Sequence, residues 1–416
     1  MTQENNTSVQ SHIFFTKQPI LDTKRSIWGY ELLGGGQKEG IHGTISREEG
    51  VAGLFSSACV ELQEAMQRGK KIMVGFDDAS IVTGVPHALP PSCGVVRVHP
   101  GEPRDAGFHA VLQDLRGQGY QTVMEVMPGM PLSDDARAAA DILAFNLGLD
   151  KPDQSLLNGM RTPHTVMLAH GVKSIEQFQA ARDMGFTLFQ GPFFKEPEYV
   201  KERKLASNAA SRLNLLRLLE AGDPDFKALG AAIRTDVSIS FRLLAYLNSP
   251  WFGLRQNIQS IDHAIKMLGW LKLKSWLRAV ILVDMAGKDE VPRELAALSL
   301  QRAKFFELLT THYDYWGFNP GTLFLLGLLS LIDAILGMPM MSLVELLPLD
   351  AKLKSALTGD PNNEYRPLFR LLECLEDGDW PALTVQTQNL FMDLDQVRDT
   401  FAQAREWGAG FFVSPA

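Results

Sequence analysis

The apolar pattern of this chain changes period once, near residue 195, and that change limits the folds open to it. Upstream, short apolar runs alternate with helical segments. Ile13-Phe14-Phe15, Lys71–Phe76, Gly94–Val98, Thr122–Val126, Ile142–Phe145, Thr165–Ala169 and Gly185–Gly191 read as strands. Between them, 48–68, Phe108–Gly117, Ser133–Ala140 and Ser174–Met184 carry helical spacing. Ser174 suits an N-cap, with Gln177 in the capping-box position. A repeated strand–helix order predicts a parallel sheet, and this many units predict a trimmed barrel. Downstream, no strand stands out, and Leu213, Leu216 and Leu219 begin a series of apolar helix faces. The fold class is therefore α/β followed by all-α. The expected boundaries are a disordered lead-in over 1–11, a barrel over 12–195, a charged linker over 196–206 and a helical domain over 207–416.

Composition removes several classes. A chain of 416 residues has room for more than one core. Its net charge of −8 carries no sign of a nucleic-acid binder. Cys59, Cys93 and Cys374 are far apart and form no CxxC, so a reducing cytoplasm is expected. The most apolar stretch, 321–341, is interrupted by Asp333. Its uncharged run of roughly 14 residues is short of the roughly 20 a bilayer needs, so a buried helix is expected and no membrane insertion.

Two extended segments flank a polar turn near the start: Gln18-Pro19-Ile20-Leu21-Asp22 and Ile27-Trp28-Gly29-Tyr30-Glu31-Leu32-Leu33. Glu31 ends the second, and barrel active sites collect at strand ends. With His170-Gly171-Val172-Lys173 and Gln190-Gly191-Pro192, these landmarks resemble, in order and spacing, the EAL family of bacterial cyclic di-GMP phosphodiesterases. The resemblance covers roughly residues 12–195. It implies a carboxylate cluster holding divalent metal, and each position can be checked. Glu31 matches the glutamate of the name motif, with Leu32 in place of its alanine. A glycine near Gly34 replaces the arginine that contacts phosphate. Gly75 stands for the strand asparagine, Arg97 for the next glutamate, Glu125 and Val126 for the paired aspartates, and Ala144 for the lysine. His170 and Lys173 replace two glutamates, and Gln190 is kept.

Glu31, Glu125 and Gln190 are thus the remnants of that site, and no metal or other cofactor is expected. A simpler role for Glu31 is to pair with Arg97 or Lys173 across the barrel mouth, contributing up to about 1 kcal/mol if exposed. Asp77 and Asp78 read as a loop or helix cap.

In the second half, Asn248-Ser249-Pro250-Trp251-Phe252-Gly253 and the helix from Ser260 to Gly269 resemble the HDOD domain, a helical relative of HD-type phosphohydrolases. None of the nine histidines precedes an aspartate, and the place of a remnant His-Asp reads Gly327-Leu328-Leu329-Ser330-Leu331. The combination resembles EAL–HDOD signalling proteins. It implies a non-catalytic adaptor, not an enzyme, acting by protein contact in cyclic-di-GMP-related control of motility or biofilm. Histidine kinases, response regulators or cyclic-di-GMP enzymes are the expected partners. Two alternatives stand beside it: a metal-independent cyclic di-GMP receptor, with Gln18, Arg97 and Lys173 as ligand contacts, and a residual phosphodiesterase using Glu31 and Glu125.

Overall fold

The computed structural model describes residues 14–34, 44–45, 58–99, 104–127, 132–148, 152, 154–161, 165–197, 207–221, 269–314 and 317–412. The Asn248–Gly253 turn and the helix expected from Ser260 lie outside them, apart from Gly269. The chain divides into two compact units, one of 1–193 with Cys374–Ala382, the other of 194–373 with 383–416.

The first unit is an eight-stranded barrel. Strands β1 (Phe15–Asp22) and β2 (Ile27–Gly34) form an antiparallel ribbon. The Asp22 carboxylate accepts the backbone N–H groups of Lys24 and Ser26 at 2.8 Å each, which holds Arg25 at φ 60° in the turn. A two-residue strand β3 (Thr44–Ile45) adds to one end of β4 (Lys71–Phe76). Then β5 (Gly94–Val98), β6 (Gln121–Val126), β7 (Ile142–Asn146), β8 (Val166–His170) and β9 (Leu188–Gln190) follow in parallel order. β2 pairs in parallel with β4, and β1 pairs antiparallel with β9, which closes the ring.

Side chains alternate across each strand, so one set faces the barrel axis. Ile20, Met73, Val95, Val123, Ile142, Ala144, Leu168 and Leu188 make that inner core. Helices seal the outside, started by side-chain caps: Asp77 accepts from Ser80 N–H, Asp105 from Phe108 and Ser133 from Ala136. Ser174 caps its helix by accepting from Gln177 N–H at 3.3 Å. The capping box is altered, because the Gln177 side chain reaches back to Lys173 N–H at 2.8 Å, one residue before the cap.

The second unit is helical in its described residues. Glu290–His312 packs against Pro320–Leu329 and Leu394–Ala409. Gly327 permits the first contact, since a Cβ there would lie 2.5 Å from Ala303 N and 2.6 Å from Arg302 O. The apolar stretch 321–341 is largely buried as far as Gly337, in two helices, Pro320–Leu329 and Ile332–Leu336, while Pro339 and Met341 are exposed. No helix among the described residues is long and apolar enough to cross a membrane.

Candidate functional site

The inner core predicts the site by strand arithmetic. Two residues beyond Met73, Val95, Val123, Leu168 and Leu188, on the same inward face, stand Gly75, Arg97, Glu125, His170 and Gln190. β1 runs the other way, so Gln18 takes the equivalent place two residues before Ile20, opposite Glu31 on β2. These positions share the C-terminal mouth of the parallel strands.

Arg97 sits between the acids. Its Nη1 donates to Glu31 Oε1 and Oε2 at 2.8 and 3.0 Å, and Nη2 donates to Glu125 Oε2 at 2.7 Å. Glu125 Oε1 meets His170 Nε2 at 2.5 Å. Gln190 Nε2 donates to Glu31 Oε2 at 2.6 Å and to Gln18 Oε1 at 3.0 Å. The ionic core is buried: Glu31, Arg97 and Glu125 are 2%, 7% and 9% exposed. Glu31 pairs with Arg97 and not Lys173, and the energy given for an exposed pair does not apply, because inward alternation at the strand end draws Glu31 under the mouth.

Burial opposes these charges, and the pairing outweighs it. Burial works against the Arg97 charge, but Glu31 and Glu125 hold its pKa above the ordinary value. Burial also works against Glu125 ionisation, yet Arg97 and His170 bring its pKa down to about 2. His99 follows on the inward face two residues after Arg97. Burial, and then Arg97, lower its pKa to about 4, so its ring is neutral at pH 7. The ring fills space left by Gly75, where a Cβ would come 2.2 Å from His99 Nε2. Three buried atoms of the mouth, Arg97 Nε, His99 Nε2 and Gln190 Oε1, have no hydrogen-bond partner among the described residues.

The structure brings together Gln18, Glu31, Arg97, Glu125, His170 and Gln190. It does not bring in Lys173, which is exposed, with no side-chain hydrogen bond or ion pair to the cluster. Ala144 is inner-core packing. Asp77 caps a short helix, while Asp78 takes a two-toothed ion pair from Arg104 at 2.8 Å. Sequence reading missed His99, although continuing the 95, 97, 99 alternation past β5 points to it.

The EAL resemblance implies divalent metal here. The residues present do not fit it: the guanidinium already occupies the space between Glu31 and Glu125 and brings like charge to any cation. Among the described residues, no group of three His, Cys, Asp or Glu side chains is arranged to hold a metal ion.

The HDOD domain family model matches residues 205–342. A Vibrio cholerae protein named cyclic di-GMP phosphodiesterase CdgJ is 29% identical over 404 residues, covering 95% of this chain and 92% of that one. The uncharacterized protein YuxH of Bacillus subtilis is 26% identical over 404 residues, covering 95% and 98%. Among solved structures, an EAL domain protein from Listeria monocytogenes aligns with 47% of this chain and 94% of its own, at 17% identity and TM-score 0.35. The Bacillus subtilis YkuI protein, solved with cyclic di-GMP and calcium, aligns with 62% and 72% at 14% identity and TM-score 0.37. The expectation that this chain is not an enzyme is overturned by the Vibrio relative, which is named as one and matches nearly end to end. Barrel and helical half agree with that similarity: an eight-stranded barrel is followed in the chain by a helical region that the HDOD domain model matches over 205–342.

Proposed function

We propose that this chain acts in cyclic di-GMP signalling and that its barrel mouth binds the dinucleotide and turns it over. The Vibrio relative supports the reading, since its name is that of a cyclic di-GMP phosphodiesterase and the correspondence runs through both halves. The observation that carries it is the Glu125–His170 pair, 2.5 Å apart beside Arg97 at the C-terminal mouth. A carboxylate holding an imidazole in a half-buried position is an arrangement that takes a proton from water. A neighbouring guanidinium stabilises the negative charge that builds on an attacked phosphate. Two carboxylates already share Arg97, so the phosphate competes for it and turnover is slow.

The test is incubation of the purified full-length chain with cyclic di-GMP, with chelator and with added Mn²⁺ in parallel, followed by separation of the linear dinucleotide. Product is expected from the wild type, and its loss from His170→Ala. No product from folded wild-type protein at concentrations matching the substrate would sink the reading.

A second reading runs beside it: regulation by contact with histidine kinases, response regulators or cyclic-di-GMP enzymes, in control of motility or biofilm. Leu271 favours it. This leucine is 80% exposed on the lip of a groove of about 600 Å³ in the helical unit, lined also by Lys272, Arg278 and Leu353. Leu271→Glu is expected to weaken partner capture in a pull-down while leaving turnover unchanged; equal capture by both proteins counts against it.

A further inference from the structure

Residues Cys374–Ala382 come late in the chain, yet they group with the barrel and not with the helical residues before and after them. Their contacts explain this. Trp380 Nε1–H donates to Gly34 O at the end of β2, at 2.9 Å. Its indole stands edge-on to Phe14, with centroids 5.3 Å apart. Gly378 has φ +68°, and a Cβ there would lie 2.8 Å from Leu33 Cδ1. Only glycine gives both that conformation and that approach. Finally, the Glu376 carbonyl accepts from Gln18 Nε2 at 3.0 Å.

Gln18 is where this segment reaches the mouth. One end of its amide is spent on Glu376 O, which leaves Oε1 to accept from Gln190 Nε2. Gln190 Nε2 donates in turn to Glu31 Oε2, and Glu31 holds Arg97. An amide has a donor end and an acceptor end, so fixing one end fixes the other. If Gln18 turned over, its NH₂ would face the NH₂ of Gln190. Gln190 would then have to turn as well, withdrawing its bond from Glu31.

We propose that Cys374–Ala382 is a positioning segment for the barrel mouth: through Glu376 O it sets the orientation of Gln18, and through Gln18 and Gln190 that of Glu31. For its kinetic consequence the inference rests on the proposed turnover at this mouth; for its structural consequence it does not.

The test uses the full chain carrying Gly378→Ala, or Trp380→Phe, which keeps a ring and removes the N–H. Side-chain amide signals of Gln18 and Gln190 are read by ¹⁵N-glutamine NMR, beside steady-state kinetics with cyclic di-GMP. The Gln190 signals are expected to move, although neither substitution lies in the mouth. The kcat is expected to fall about tenfold with KM little changed, the cost of a misplaced group. Unmoved Gln190 signals in both folded variants overturn the inference. Moved signals in the variants, with no turnover by the wild type, uphold the positioning and discard the catalytic reading instead. Should Gly378→Ala fail to fold, Trp380→Phe carries the test alone.

Discussion

The barrel mouth and the buried face of the helix Pro320–Leu329 are two interiors of this chain built on different chemistry. In the mouth charged and polar groups pair with one another: Arg97 stands between Glu31 and Glu125, and Glu125 holds His170. On the helix the buried side chains are apolar: Leu323, Phe324, Leu326, Leu328 and Leu329. Ser330, just past its end, is a polar connector, donating to Gly327 O at 2.7 Å and accepting from Arg302 Nη1 at 3.1 Å. The mouth is held by charge and the helix face by shape. One should be sensitive to pH and charge removal, the other to volume.

Removing the central charge is the hardest blow to that contrast. Arg97→Met leaves Glu31 and Glu125 buried without their cation, and breaking a buried pair in this way costs about 3–5 kcal/mol. Urea unfolding at pH 7 should show this loss in the barrel transition. A loss well under 1 kcal/mol would mean that the acids are not held as ions.

Acid should attack the mouth next, in two windows. His99 has a folded pKa of about 4 against an ordinary 6.5, so the unfolded chain binds the extra proton first. Its contribution is present above pH 6.5 and is lost as pH falls towards 4. Glu125 has a folded pKa of about 2 against 4.5. Its contribution is present above pH 4.5 and is lost as pH falls towards 2. Each contributes on the order of 3 kcal/mol by linkage. His99→Gln should flatten the upper window of a stability–pH curve and leave the lower one; an unchanged upper window would remove His99 from the account.

Volume should attack the helix face. Gly327→Ala places a methyl group against the backbone of Arg302 and Ala303, where nothing flexible can yield. Overpacking of this kind costs about 2 kcal/mol. The loss should be the same at pH 7 and pH 5. A pH-dependent loss would show that this region, too, is held by charge.

Much of this contrast was legible in the chain, and for a physical reason. Strand periodicity is a local property, so Arg97, Glu125 and Gln190 could be placed at inward strand ends from their own neighbours. Arg97 against Glu31 followed from charge. The depth of the pair did not, because burial depends on how the barrel closes. His99 sits past the end of its strand, where the apolar pattern stops, and its place depends on Gly75 of another strand. The Gln18–Glu376 bond joins residues 358 positions apart, beyond the reach of any local pattern. The departures from the resembled motifs led to the expectation of a chain without enzymatic function, which the named relative overturned. Which residues replace a ligand and whether a site still works are separate questions.

The smallest effect sharpens the comparison by testing whether the helix face acts as one packed body. Asn319 caps Pro320–Leu329, its side-chain oxygen accepting from Thr322 N–H at 3.1 Å. Asn319→Ala should cost about 1 kcal/mol, the usual loss of a helix N-cap. The cap and Gly327 are about 12 Å apart along the helix at its normal rise, with separate partners. Their losses should therefore add to within about 0.5 kcal/mol in the double variant. A shape-held region with fixed neighbours gives this result, because neither substitution alters what the other touches. If the double variant lost much less than the sum, the helix would already have shifted in Gly327→Ala and released its own cap. The face would then yield under load, and the difference from the ionic mouth would be one of degree.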